Sequence, residues 1–212
     1  MALKRYGKLS VLCIIAALIN IFLPVFFRNF LGLPLYIDTV FTAAITFTFG
    51  LIPGLTVALL SWFIPCIYWG VGFNLYVLCS ITEVILINAL KPVPLVISQF
   101  APKEKAISSY SSLAAKLMLL YILCAITISV LGGVINYMSD LIFNLPLHHF
   151  GVEDTFKLGL LMSNLPALAV NILSRIPINI VDRFIVIFGG YFISRGLARL
   201  IRQEAHIDWK AK

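Results

Sequence analysis

Asn171-Ile-Leu-Ser-Arg-Ile-Pro-Ile-Asn-Ile-Val-Asp-Arg183 sets two arginines, an aspartate and two asparagines inside an otherwise apolar region. Wound as a helix, Asn171, Arg175, Asn179 and Arg183 recur every fourth residue and form one polar stripe. Charge at membrane depth costs several kcal/mol, so such residues turn toward a protein interior or a watery cavity. The fold class depends on whether this stripe is the wet face of a soluble helix or the inner face of a membrane bundle.

Composition decides for the bundle. The 212 residues are 61% hydrophobic and 12% charged, with a mean hydropathy of +1.01. A soluble domain carries about twice that charged share. The length suits one membrane domain of roughly six helices, each about 20 residues long. A net charge of +7 raises nucleic acid as a partner, but the positive residues sit in short loops and tails beside apolar runs. That distribution sets topology and argues against nucleic-acid binding. Cys13, Cys66, Cys79 and Cys124 lie within apolar segments at no metal-ligand spacing, as small buried hydrophobes do. The basic N-terminus and apolar run that follows resemble a signal peptide, yet no small-x-small cleavage site precedes Pro24, so a retained first helix is expected.

The pattern predicts an all-α membrane protein of one domain, 1–212, with spans at about 9–27, 38–51, 54–70, 73–90, 113–137 and 176–200. Asp38 is expected to cap the second helix, and Pro53-Gly54 to turn into the third. Gly132-Gly133 marks a place where another backbone can come close. With the N-terminus inside, the outer loops receive only Arg28 and Lys157, against a large majority of basic residues on the inner side. A seventh span at 156–172 would carry the basic C-terminal tail outside. That segment, interrupted by Asn164 and Pro166, is therefore expected to be interfacial or re-entrant, since irregular backbone is tolerated where it lines a cavity.

Within the stripe, Arg175 is the expected clamp for an anionic group, and Arg183 is expected to pair with Glu83, which lies at a similar depth on the fourth helix. The competing reading is that Asp182 or Glu83 neutralises an arginine and only fixes helix packing. Trp69, Asn74 and Tyr76 flank the outer mouth between the third and fourth helices, where an interfacial aromatic belt or a stacked ligand would use them. The small residues Thr39, Thr42 and Thr46, and Gly54, Ala58 and Ser61, share helix faces suited to close packing. His148-His149 near Glu153-Asp154 lacks a third spaced ligand, so no metal is expected. Neither a phosphate-binding loop nor a hydrolase signature occurs, so the chain is not expected to be an enzyme or to need a cofactor.

Three stretches together resemble the substrate-binding S components of energy-coupling factor (ECF) transporters. They are the apolar first helix; Leu33-Pro-Leu-Tyr-Ile-Asp-Thr39 running to Gly50-Leu-Ile-Pro-Gly54; and Ile176-Pro-Ile-Asn-Ile-Val-Asp-Arg183 leading into a last helix with a basic tail. The resemblance implies six helices with both termini cytoplasmic in the cell membrane, and an outward-facing pocket for a vitamin or other scarce nutrient. It also implies a transmembrane coupling protein and two ABC-type ATPases as partners. The family's Ala-x-x-x-Ala docking motif in the first helix is replaced here by Cys13-x-x-x-Ala17, with Ala16 beside it. Cobalt and nickel members begin Met-His, whereas this chain begins Met1-Ala2, which argues against a metal substrate. The same helical module is similar to membrane sensor regions of bacterial histidine kinases; no kinase domain follows up to Lys212, which favours the transporter.

The expectation is then a nutrient-binding membrane subunit whose ligand is small and anionic or zwitterionic. Arg175, Asn179, Arg183, Asn171, Asn164 and Glu83 would line its site. A ligand-sensing subunit without transport activity is the alternative. A stand-alone carrier fits less well, because no inverted repeat is visible.

Overall fold

A computed structural model describes residues 2–32, 35–69, 75–92, 103–143 and 152–210, with side chains over 7–30, 35–68, 75–92, 110–142 and 156–200. Every element among them is helical: α1 (Ala2–Leu31), α2 (Val40–Phe49), α3 (Leu51–Trp69), α4 (Val77–Leu90), α5 (Lys103–Phe143), α6 (Val152–Leu161), α7 (Ala167–Leu173), α8 (Ile176–Phe184) and α9 (Gly190–Lys210). A π-helical turn, Ile185–Gly189, joins α8 to α9.

Among the described residues, four stretches are long and apolar enough to cross a membrane: Gly7–Phe30, Leu51–Tyr68, Tyr110–Ile142 and Ala167–Leu200. Large apolar side chains on α1 (Val11, Ile15, Leu18, Phe22) and α5 (Leu119, Ile122, Ile126) face outward. A water-soluble monomer does not expose such strips, and a bilayer solvates them at no cost. The molecule is an all-helical protein built for a membrane.

Two expected spans are shorter than the sequence pattern suggests. α2 has 10 residues and α4 has 14, so at 1.5 Å per residue neither reaches the roughly 30 Å of a hydrocarbon core. Residues 35–38 are extended, and the helix starts only at Val40, with Thr39 in the capping position. Thr39 makes no side-chain cap bond, and the first-turn N–H of Phe41 is taken by Asn20 Oδ1 of α1 at 3.0 Å, so the expected Asp38 cap is corrected. At its other end α2 stops at Gly50, whose φ of 93° suits glycine and few other residues. Pro53 and Gly54, expected as a turn, lie instead in the first turns of α3, where a proline N–H would have no helical partner anyway.

α2 is the hub, touching α1, α3, α4, α9 and the π turn. Its buried residues are Val40, Thr42, Ala43, Ala44, Ile45 and Thr46. Such small side chains let neighbours approach on every side. A Cβ on Gly54 would lie 2.1 Å from Thr46 Oγ1, and one on Gly190 would lie 2.8 Å from Ala43 Cβ, so glycine brings α3 and α9 onto α2.

The segment expected at 156–172 as a single interfacial piece is two helices. α6 is tied to the end of α5 by Lys157 and Asp140, 2.9 Å apart. α7 lies along α5, burying Val170 and Asn171, and continues through a turn into α8. The Gly132-Gly133 pair makes this contact: a Cβ on Gly133 would sit 2.6 Å from the Cα of Ile172.

Candidate functional site

The polar stripe divides into three separate attachments. At its upper level Arg175 donates to the hydroxyl of Tyr76 and lies over that ring, 4.8 Å from its centroid. Tyr76 donates to Asn136 Oδ1 at 3.2 Å, Asn136 to Asn171 Oδ1 at 2.7 Å, and Asn171 to the carbonyl of Ala167 at 3.0 Å. This chain of donors ties α4, α5 and α7 together. One turn deeper, Asn179 donates to Ser129 Oγ at 3.0 Å, and Ser129 donates back to the Ala125 carbonyl, so α8 is pinned to α5.

A further turn along, Arg183 donates to Glu83 Oε2 at 2.6 Å and to Thr39 Oγ1 at 3.0 Å. It also donates to the Tyr36 carbonyl at 3.4 Å, and Asp38 lies 3.7 Å away. Glu83 is 0% exposed and Arg183 4%, so each charge depends on the other for solvation. The expected Glu83–Arg183 pair is therefore present. Asp182, also buried, accepts the Tyr36 N–H at 2.9 Å. Both backbone polar groups of Tyr36 are thus held by α8, which keeps residues 35–38 extended against the bundle.

Near this last attachment a cavity of about 220 Å³ opens between α1, α2, α3 and α4, lined by Asn20, Ile21, Pro24, Asp38, Thr39, Thr42, Ala58, Ser61, Trp62, Pro65 and Ser80. None of the expected ligand residues Asn164, Asn171, Arg175, Asn179, Arg183, Glu83 and Tyr76 belongs to that wall. Arg183 reaches it only through Thr39 and Asp38. In the stripe Arg175, Asn179 and Arg183 join helices, and this cavity is walled by α1 to α4 instead.

Asn20 organises the cavity floor. Its amide donates to Thr42 Oγ1 at 2.9 Å and to Ser61 Oγ at 3.4 Å, while its carbonyl accepts the Phe41 N–H at 3.0 Å. Pro24 and Pro65 stand inside α1 and α3. Lacking an N–H, each deprives the carbonyl four residues earlier of its helical donor. Those carbonyls belong to Asn20 and Ser61, on the cavity wall. Asp38 contributes a carboxylate whose side chain is 50% exposed.

Asn164 stands apart, exposed in the turn between α6 and α7, with the positive φ of 55° that asparagine tolerates. The side chain of Trp69, all of Asn74, and the His148-His149 pair lie outside the described residues, as do the side chains of Glu153 and Asp154. Cys13, Ala16 and Ala17 are buried against Ile45 and Val57, so the strip expected to dock a partner is an internal seam between α1, α2 and α3. Asn20, Ser80, Ser129 and Asn136 were not singled out from the sequence. A lone polar residue inside an apolar helix was the signal for each.

No family model, curated protein or solved structure matches this chain.

Proposed function

We propose that this chain is the substrate-binding S component of an ECF-type importer, capturing a vitamin-like or other small nutrient in the cavity between α1 and α4. The observation that carries the reading is that cavity: mostly apolar with a few polar groups, walled by four helices of a membrane bundle, and backed by a buried ion pair. Drug-sized ligands fill pockets of about 300–1,000 Å³, so a smaller solute suits this one.

In this reading α2 and α4 complete a six-helix bundle with α1, α3, α5 and the run from α7 to α9. The basic residues at both ends of the chain and around Lys91, Lys103 and Lys105 lie on the cytoplasmic side of the cell membrane, with both termini. The end of α1 and the start of α2 then face outward, and the cavity with them. The chain carries out no chemistry itself: a transmembrane coupling protein and two ABC-type ATPases supply the work. The coupling protein meets a surface other than the buried Cys13–Ala17 seam.

Purification of the tagged full-length chain from its own cells in mild detergent, followed by mass spectrometry, tests the assignment. Recovery of a polytopic membrane protein with two ATPases is the expected result. Recovery of a histidine kinase would replace the importer with a ligand sensor, and recovery of no partner would overturn both.

A further inference from the structure

The cavity wall has a definite polarity. Asp38 is its one acidic side chain among the described residues, and no lysine, arginine or histidine joins it. The nearby Arg183 pairs with Asp38 at 3.7 Å, but it divides its charge between Asp38 and Glu83. Glu83 takes Arg183 at 2.6 Å, while Asp38 stands off at 3.7 Å with half its side-chain surface open. Asp182 adds a further acid beside the same arginine, so one cation here faces three carboxylates.

The neutral wall leans the same way. The Asn20 amide spends its donors on Thr42 and Ser61. Pro24 and Pro65 leave the Asn20 and Ser61 carbonyls without their helical donors, while the hydroxyls of Thr42 and Ser61 accept from Asn20 and that of Thr39 from Arg183. The fixed groups therefore accept hydrogen bonds. Trp62 adds an aromatic surface, which attracts cations.

We infer that the cavity binds a small organic cation carrying N–H donors, such as a protonated amine or an amino-substituted heterocycle, with Asp38 as its counter-charge. This reverses the anionic ligand expected from the arginines of the stripe. It rests on reading the cavity as the nutrient site.

Benzylammonium, benzyl alcohol and benzoate share a shape and differ in charge, so they are the probes. Equilibrium dialysis of the detergent-purified full chain with each, repeated on Asp38→Asn, cancels partition into detergent. The expected result is saturable benzylammonium binding at least tenfold tighter than benzyl alcohol, no benzoate binding, and a preference below threefold in Asp38→Asn. Ser80→Leu, which fills the space from α4 without touching the ion pair, abolishes binding. Equal binding of alcohol or benzoate, a preference that survives Asp38→Asn, binding that survives Ser80→Leu, or no saturable binding of any probe overturns the inference. The importer reading fails separately: cation binding without coupling partners sinks the importer alone, and a recovered importer that prefers benzoate sinks the cation alone.

Discussion

Arg183 gathers Glu83, Thr39, Tyr36 and Asp38 from two other parts of the chain around one guanidinium. Removing one partner of such a buried pair leaves an uncompensated charge, at a cost of about 3–5 kcal/mol. Glu83→Ala is therefore expected to lower the thermal midpoint in detergent sharply, and Glu83→Gln, which keeps an acceptor, to lower it less. Equal midpoints for wild type and Glu83→Ala would show that the pair holds nothing. Because Thr39 and the Tyr36 carbonyl also accept from the arginine, the exchange Glu83→Arg with Arg183→Glu should recover only part of the loss. A second residue-scale prediction concerns the adjacent glycines. Gly133→Ala meets the Ile172 backbone at 2.6 Å, whereas Gly132→Ala meets the Arg175 guanidinium at 3.3 Å, a flexible end that can shift. Melting curves should rank Gly133→Ala well below Gly132→Ala; the reverse order would contradict the close crossing of α5 and α7.

The last helical run shows how an element reconciles two demands. Arg183 must face α2 and α4, and Gly190 must let α2 in against Ala43. The π turn between them adds one residue to a helical turn and resets the face presented by α9. Deleting Phe188 from that turn is expected to restore ordinary winding and cost less stability than deleting the exposed Phe192, which rotates the adjoining helix by about 100°. A Phe192 deletion that melts higher than a Phe188 deletion would mean the turn carries no register. The four-residue recurrence of the stripe was legible in the sequence because helical geometry alone generates it. Its partners were not: whether Asn179 meets Ser129 or a ligand depends on the rotation of α5, which periodicity leaves open. The length of α2 was hidden for a related reason. Hydropathy runs smoothly from 38 to 51 and does not register a glycine at φ 93° or an extended lead-in held by α8.

At the scale of the whole molecule, helical class and apolar exterior followed from composition, because so little charge leaves few alternatives. The position of the cavity did not. It arises where α1 to α4 converge and takes polar atoms from each, among them isolated residues such as Asn20 and Ser80 that no spacing connects. The charge distribution predicts orientation. In a chain with its native cysteines replaced, single cysteines at Ala2 and Gln203 should react with an impermeant maleimide only after permeabilisation, and one at Phe30 in intact cells. Labelling of Phe30→Cys only after permeabilisation would invert the topology. Thr39 has a consequence for how such a bundle communicates. It borders the open space, and its hydroxyl accepts from Arg183. Two equilibria that share an atom are linked, and linkage runs both ways with the same factor. A guest that steadies Thr39 also tightens the seat of the final helix, so occupancy on one side of the membrane is registered as tension in the element that leads to the other.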